Sequence, residues 1–324
     1  MESFGSDFFG IEKLSRGFHP VFNPPNLSTT FNQRSEQSGF IPSIPKTLNP
    51  NRYESHAMTW YRFIFVSLFF VICAATIGCD QTKPAPNLPP VSAPPPAGKT
   101  ETFSHAEFDT LLKKYVVTGR VKYSEWVAST ADKAALAEYV KRLATAHPEY
   151  LPENDQKAFW INAYNAITLN AVLEKYPLKS VNFDALKDPK AKNFWQTPYP
   201  VANTELSLDQ IENKVLRPRY KDPRIHFAIN CASVGCPNLQ PRAFEGTDLN
   251  EFLDTVTREF LADATKGANW DAASASLSVS SIFDWYKDDF GNVPSFVAKY
   301  RSDVTAPNAK VAFLTYDWNL NQAN

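Results

Sequence analysis

The sequence is poor in glycine, the residue on which phosphate-binding loops depend. Only 11 of the 324 residues are glycine, and neither G-x-x-x-x-G-K nor G-x-G-x-x-G occurs. Basic residues are not concentrated either, since 33 Lys and Arg balance 34 Asp and Glu without a dense run. Proteins that bind nucleic acid present such basic patches. The composition therefore argues against a glycine-rich phosphate loop and against nucleic acid as a partner, and it predicts no cofactor.

Cysteine is also scarce, with four in the chain. Cys231 and Cys236 are the two that fall in the region expected to form a globular domain, with His226 close to them in sequence. Structural zinc sites use four ligands, commonly in paired C-x-x-C spacing. Two cysteines and one histidine without that spacing are too few ligands, so no metal site is predicted.

The first 57 residues are polar and rich in Asn, Ser and Pro, without a helical or strand period. A segment of this composition cannot bury enough apolar surface to fold, so residues 1–57 are predicted to be disordered. A second interpretation is that translation starts at Met58 and that these residues are not made.

Residues 58–79 have the features of a secretion signal. A cationic start is followed by an apolar run from 63 to 78 and by small residues before Cys79. The segment 75–79 also resembles a bacterial lipobox, in which the cysteine is lipidated and becomes the mature N-terminus. The alternative is a single transmembrane anchor of about 20 residues. Both interpretations tether the protein to a membrane, with its domain outside the cytoplasm in a bacterial cell envelope.

Residues 80–100 are rich in proline and carry few apolar anchors. Such a segment favours extended polyproline geometry and acts as a stiff spacer, with a reach of roughly 60 Å at about 3.1 Å per residue. We expect it to hold the following domain away from the bilayer.

Residues 101–322 carry the periodic hydrophobic patterns of one globular domain. Capping boxes predict two of its helices: Ser104 with Glu107 before a helix at 105–116, and Ser207 with Gln210 before a helix at 208–216. Other segments have the two-residue period of strands. The prediction is an α+β domain with a small sheet of non-adjacent strands flanked by helices.

A helix at 156–173 is apolar on nearly every side and is predicted to be buried against the sheet. Asn162 and Asn165 lie one turn apart on it and share a face. A buried amide without partners costs about 1–3 kcal/mol, so each must be bonded to something. They either tie the helix to neighbouring backbone or line a substrate-binding site together with Asn230.

The segment 224–237 is predicted to be a central strand that runs into a tight turn. Ile225, Phe227 and Ile229 alternate with more polar positions, the pattern of a strand with one face in a core. The polar face would carry His226 and Asn230, about 13 Å apart along the strand. They could mark the two ends of one groove.

Several motifs in this order resemble domain-of-unknown-function family 547, over roughly residues 104–321. The motifs are Phe159-Trp160-Ile161-Asn162-Ala163-Tyr164-Asn165, the helix at 208–217, His226-Phe227-Ala228-Ile229-Asn230-Cys231 with Cys236-Pro237, Asp284-Trp285-Tyr286 with Asp289-Phe290, and Tyr316-Asp317-Trp318-Asn319-Leu320-Asn321. Many members of that family have the sequence Ile-Glu-His where this chain has Ile211-Glu212-Asn213. Any role of that family histidine would therefore be absent here. The resemblance implies a domain boundary and no activity.

His226 is the main catalytic candidate, as a general base, because histidine titrates near neutral pH. Glu212 and Asp317 are the acids expected to orient its ring. Cys231 or Cys236 would be the nucleophile, which needs a lowered thiol pKa. On one regular strand, however, His226 and Cys231 would lie roughly 17 Å apart on opposite faces, so a direct pair would need the turn to fold back.

The two cysteines have other interpretations. Outside the cytoplasm they could form a disulfide, if their Cα atoms come within about 7 Å, or they could remain free and buried. Two functions therefore stay open. One is an envelope hydrolase or acyl transferase that acts on a small-molecule or peptide substrate. The other is a tethered, non-enzymatic binding module with a Cys231–Cys236 disulfide.

Overall fold

The computed structural model describes residues 101–182 and 193–323. The predictions for residues 1–57, 58–79 and 80–100 lie outside the described residues. Within the described ranges, no helix is both long enough and apolar enough to cross a membrane.

The first half of the domain is helical, with one short hairpin. Its elements are α1 (Ala106–Tyr115), β1 (Val116–Val117), β2 (Arg120–Val121), α2 (Tyr123–Ala128), α3 (Thr130–Ala144), a 3₁₀ turn (Pro148–Tyr150) and α4 (Glu153–Lys175). The Ser129 side chain accepts a hydrogen bond from the Asp132 N–H and caps α3. The capping box predicted for α1 is not formed. Ser104 accepts only from the Ala106 N–H, at 3.3 Å.

The second half contains more strands. Its elements are β3 (Tyr199–Val201), β4 (Thr204–Leu206), the composite helix α5, a 3₁₀ helix (Pro223–Phe227), α6 (Leu249–Ala262), β5 (Ala268–Asp271), β6 (Ser276–Val279), α7 (Ile282–Trp285), α8 (Lys287–Phe290), α9 (Val293–Ala298) and β7 (Lys310–Phe313). Helix α5 begins as an α-helix at Leu208–Gln210, continues as a π-helix at Ile211–Leu216 and ends as an α-helix at Arg217–Tyr220. The predicted Ser207–Gln210 capping box is confirmed.

The strands form three small sheets in the described residues. The hairpins β1–β2 and β3–β4 are antiparallel two-stranded units. The third sheet has the order β5-β6-β7, with β5 antiparallel and β7 parallel to β6. The α+β class is confirmed, but helix α4 packs mainly against the helices α3 and α5 rather than against a sheet.

Helix α4 lies at the centre of the core, as its sequence predicts. Every residue from Gln156 to Leu169 is buried, because neighbouring elements cover all of its faces. A helix that is apolar all round is stable only in such a position. It therefore forms the rigid support on which the neighbouring loops rest.

The predicted central strand at 224–237 is wrong. Pro223–Phe227 is a 3₁₀ helix, and the residues that follow it form a loop. Pro223 fits the first turn of a helix because its missing N–H needs no partner there, and the Asp222 carboxylate accepts from the Arg224 N–H at 3.1 Å. Residues 225–230 are all buried, so the alternation of apolar residues did not mark an inner and an outer face.

Candidate functional site

A cavity of about 190 Å³ lies where α4, α5, the 3₁₀ helix, α7 and the segment after β7 meet. Six aromatic side chains dominate its lining: Tyr164, Trp195, Trp285, Tyr286, Tyr316 and Trp318. Three titratable groups, Asp209, Glu212 and His226, also line it, together with both cysteines. The cavity therefore brings together four of the five predicted catalytic residues.

Glu212 enters the cavity from the π-helical part of α5. Ile211 and Val215 of the same stretch are buried in the core, and Glu212 itself is only 7% exposed. π-helical segments are rare and occur frequently at functional sites. A carboxylate buried to this extent needs charged or hydrogen-bonding partners.

A chain of charged groups supplies those partners. Nδ1 of His226 lies 3.3 Å from Oε1 of Glu212, and Nε2 of the same ring lies 2.7 Å from Oδ2 of Asp289. The Arg217 guanidinium donates to both oxygens of Asp289, at 2.6 and 3.0 Å. The order of charges is therefore Arg217, Asp289, His226 and Glu212, and it ends at the cavity.

The electrostatics of this chain favour a protonated His226. Burial lowers the pKa of His226, but its hydrogen bonds to Asp289 and Glu212 outweigh burial and raise that pKa above its usual value. The hydrogen bond from His226, helped by Arg217, holds the pKa of Asp289 well below its usual range. Both ring nitrogens of His226 face a carboxylate, and a protonated imidazole has no lone pair free to accept a substrate proton. This geometry favours a charged, structural His226 over a general base.

Aromatic rings cover the histidine and form one wall of the cavity. The Tyr286 ring stacks on the His226 ring with centroids 4.1 Å apart. Tyr316 contacts Trp285 and Trp318, with centroid distances of 4.8 and 4.6 Å, and these two indoles stack on each other at 5.6 Å. Trp195 lies 5.7 Å from Trp318. Trp285 is 47% exposed although its neighbours pack around it, so one face of this wall is open to solvent.

Cys231 and Cys236 form a disulfide in the cavity wall, with Cα atoms 6.2 Å apart. The Tyr316 hydroxyl lies 3.3 Å from the Cys231 sulfur and 3.2 Å from the Cys236 sulfur. Burial raises the pKa of Tyr316, so this hydroxyl keeps its proton. Neither sulfur is a thiolate in this state, and neither can act as the predicted nucleophile.

Gly235 allows the C-terminal segment to approach the disulfide loop. Its N–H donates to the Asp317 carbonyl at 2.8 Å, and a Cβ at this position would lie 2.9 Å from the Asp317 nitrogen. The same Cβ would lie 3.1 Å from the Tyr316 ring. Glycine is therefore needed at position 235 if the Tyr316 hydroxyl is to contact the two sulfurs.

Residues 148–261 match the family model described as "Protein of unknown function, DUF547". Over these residues the chain is similar to the DUF547 family. The match confirms the resemblance that the motifs indicate. No curated protein and no solved structure matches the chain.

The matched DUF547 segment does not contain the whole cavity. Asp289, Trp285, Tyr316 and Trp318 lie after residue 261. They supply the second carboxylate of the charge chain and most of the aromatic wall. The site is therefore completed by the last part of the chain, as the motifs at 284–290 and 316–321 indicate.

The three asparagines predicted to bind substrate do not line the cavity. Asn162 donates to the Phe244 carbonyl and accepts from the Phe244 N–H, at 2.8 and 3.0 Å. Asn165 donates to the Ala228 carbonyl and accepts from the Asn230 N–H, at 3.0 and 2.8 Å. Both amides tie α4 to neighbouring backbone, which is the structural alternative given above.

Asn230 is structural as well. Its amide donates to the Pro237 carbonyl at 2.7 Å, and its oxygen accepts from the Ala232 N–H at 2.8 Å. These bonds close the loop that carries the disulfide. The substrate-binding prediction for Asn162, Asn165 and Asn230 is therefore corrected, because their polar atoms are already bonded within the protein.

Asp317 does not orient His226. It is exposed, and its side chain accepts from the Asn319 N–H at 2.9 Å. Asp289 takes that role, a residue that the sequence does not indicate as a catalytic or orienting acid. Its place in the motif Asp289-Phe290 is the one signal that could have indicated it. Among the described residues, no group of three or more His, Cys, Asp or Glu side chains is positioned to hold a metal ion.

Proposed function

We propose that this DUF547 domain is a non-enzymatic binding module whose aromatic cavity takes a small ligand or the end of a larger one. The observation that carries the proposal is the Cys231–Cys236 disulfide in the cavity wall. Covalent catalysis by cysteine needs a thiolate, normally activated by a neighbouring base. Here the sulfurs are joined, and both nitrogens of His226 are paired with carboxylates.

The cavity has the character of a recognition site. Ligand pockets are concave, mostly apolar and contain a few placed polar groups. In this cavity aromatic rings provide the apolar surface, while Glu212 and Asp209 provide the polar groups. The charge chain holds Glu212 in place before any ligand arrives, which reduces the entropy lost on binding.

The proposal includes the cellular location predicted from the N-terminus. Disulfides persist in oxidising compartments such as the periplasm and are rare in the cytosol. A disulfide in the domain fits the signal-like segment at 58–79, lipidation at Cys79 and the spacer at 80–100. We therefore place the domain in a bacterial cell envelope, tethered to a membrane through its N-terminal anchor.

The second candidate is the hydrolase or acyl transferase. One observation favours it: Cys231 lines the same cavity as His226 and Glu212, and its sulfur lies 3.1 Å from the Ser233 hydroxyl. Reduction of the disulfide would free this thiol beside two polar groups. Such an enzyme would be active only in its reduced form.

Thiol labelling of the full chain tests whether the two sulfurs are joined in the untreated protein and, with reductant, whether one thiol reacts much faster than the other, as an activated nucleophile would. The native protein is treated with iodoacetamide, with and without a reductant, and peptides are analysed by mass spectrometry. The binding module predicts no label on Cys231 or Cys236 without reductant. Rapid labelling of one of them in the untreated protein would overturn the proposal. The Cys231→Ser variant leaves Cys236 unpaired and shows whether that sulfur can be reached by the reagent.

Ligand binding is tested by thermal shift against a set of small metabolites and envelope polymers. A ligand that fills the cavity raises the Tm of the wild type and has less effect on Trp285→Ala. The matched control is Phe313→Ala, which removes an aromatic ring of similar exposure, 49% against 47%, outside the cavity. Equal responses of the two variants would place the ligand elsewhere.

A further inference from the structure

The lining of the cavity has an excess of negative charge. Asp209 is exposed at its edge, and Glu212 lies deeper. The His226 cation stands between the carboxylates of Glu212 and Asp289, and Arg217 is paired with Asp289. These five groups carry three negative charges and two positive ones. None of the described residues that line the cavity is Lys or Arg.

The aromatic wall is curved rather than flat. Tyr316 is tilted by 55° to Trp285 and by 53° to Trp318, and Trp195 is tilted by 53° to Trp318. Trp285 and Trp318 stack on each other with an interplanar angle of 24°, and all four rings line the cavity. Ring faces carry the negative part of the aromatic quadrupole, which attracts cations.

Other ligand classes fit these groups less well. An anion would meet the Asp209 and Glu212 carboxylates, and the His226 cation of the lining is already paired with Glu212 and Asp289. A sugar needs several donors and acceptors, yet among the described lining residues there is no Asn, Gln, Ser or Thr. The Tyr316 hydroxyl already contacts the disulfide sulfurs. The lining therefore offers carboxylate acceptors and ring faces, and its donors are limited to the indole N–H and phenol O–H groups of the aromatic residues and the His226 ring.

We infer that the cavity binds an organic cation, with an ammonium group between the tilted rings and the Asp209 and Glu212 carboxylates. This inference rests on the proposed binding function and specifies its ligand class. A cavity of about 190 Å³ has room for a small alkylammonium head group.

The test compares two probes of nearly the same shape, choline and its neutral carbon analogue 3,3-dimethylbutan-1-ol. Binding to the full chain is followed by tryptophan fluorescence and calorimetry, since three tryptophans line the cavity. Choline is expected to bind about 2- to 30-fold more tightly than the alcohol, as a cation over aromatic faces gains about 0.5–2 kcal/mol and tenfold is about 1.4 kcal/mol. High salt should weaken the binding of choline more than the binding of the alcohol.

Variants connect the binding to this cavity. Asp209→Asn removes a charge from an exposed position, so folding should not be affected. It is expected to weaken the binding of choline several-fold without changing the affinity for the alcohol. Asp288→Asn is the matched control because Asp288 is exposed and does not line the cavity. Trp285→Ala should weaken both probes.

Equal affinities for choline and the alcohol, or tighter binding of acetate than of choline, would overturn the cation inference while leaving a binding cavity. Absence of choline binding at millimolar concentrations would also overturn it. Failure of the binding-module proposal has a different signature, which is rapid labelling of Cys231 or Cys236 in the untreated protein.

Discussion

Nε2 of His226 lies 2.7 Å from Oδ2 of Asp289, although the two residues come from different elements, the 3₁₀ helix and helix α8. Arg217 holds the same carboxylate from the other side. The second ring nitrogen of His226, Nδ1, forms an ion pair with Glu212. Alternating charges, from the partly exposed Arg217 through Asp289 and His226, therefore hold the buried Glu212 in place.

The first prediction concerns the pKa of His226. Burial lowers this pKa, but the hydrogen bond that the ring donates to Asp289 and its ion pair with Glu212 raise it above the ordinary value of 6.5, so in an NMR titration the His226 ring should titrate above 6.5. His105 provides an internal contrast, because burial and the nearby Arg142 lower its pKa to about 4. Asp289→Asn should shift the His226 titration to lower pH, and Asp288→Asn should leave it unchanged. A wild-type His226 that titrates below 6.5 would contradict the charge chain.

The second prediction concerns stability as a function of pH. The folded-state pKa of His226 is raised. Its contribution to the free energy of unfolding is therefore fully present below the unfolded-state pKa of about 6.5. It is lost as pH rises through the folded value. Asp289 stays ionised throughout this window, since its own pKa is lowered. The wild type should therefore exceed Asp289→Asn in free energy of unfolding by about 2 kcal/mol near pH 6, and the gap should narrow toward pH 9.

Urea unfolding at a series of pH values measures this gap. The contribution of Arg217 to the gap is constant because a guanidinium stays charged over the whole range. Asp288→Asn serves as the control and should show a small, flat difference. A gap that widens with increasing pH would mean that His226 is neutral when folded.

The third prediction separates a structural asparagine from a ligand-binding one. Asn162→Ala removes both partners of the Phe244 backbone, leaving a buried donor and a buried acceptor unpaired. The expected loss is about 2–5 kcal/mol in free energy of unfolding. Asn170→Ala on the same helix removes only a surface bond to Glu174 and should cost about 0.5 kcal/mol or less. A stable Asn162→Ala protein that has lost ligand binding would restore the original prediction.

Local signals in the sequence predict several elements of this fold correctly. The pair Ser207–Gln210 marks a helix start, because a cap involves residues only three positions apart. The burial of α4 follows from apolar residues on all its faces. Glu212 is also assigned correctly to the neighbourhood of His226. In each case the signal is close in sequence or averaged over a long segment.

The errors arise where long-range packing decides the outcome. The segment 225–230 is buried on all sides, so its alternating pattern could not distinguish a strand from a 3₁₀ turn. Asp289 looks like a surface charge on a short helix, and only the packing of α8 onto the 3₁₀ helix brings it to His226. Likewise, no local pattern shows that Tyr316 reaches two sulfurs some eighty residues earlier in the chain.

The last prediction concerns the contribution of the disulfide. Joining Cys231 to Cys236 closes a short loop, and the chain-entropy relation for such a loop gives about 2 kcal/mol. The double variant Cys231→Ser/Cys236→Ser should therefore lose about 2 kcal/mol in free energy of unfolding. The wild type measured in a reductant should fall to the same level, because the reduced chain has the same freedom when unfolded.

The double variant is its own control for the reductant, since the described domain then has no cysteine left to react. Urea unfolding of the wild type and the double variant, each with and without reductant, gives four free energies of unfolding. The two values of the double variant and that of the reduced wild type should agree, and the wild type without reductant should be more stable. A wild type that is unaffected by reductant would show that the sulfurs are not joined in solution. In that case Cys231 would be a free thiol in the same cavity as His226 and Glu212, and the enzyme hypothesis would replace the binding module.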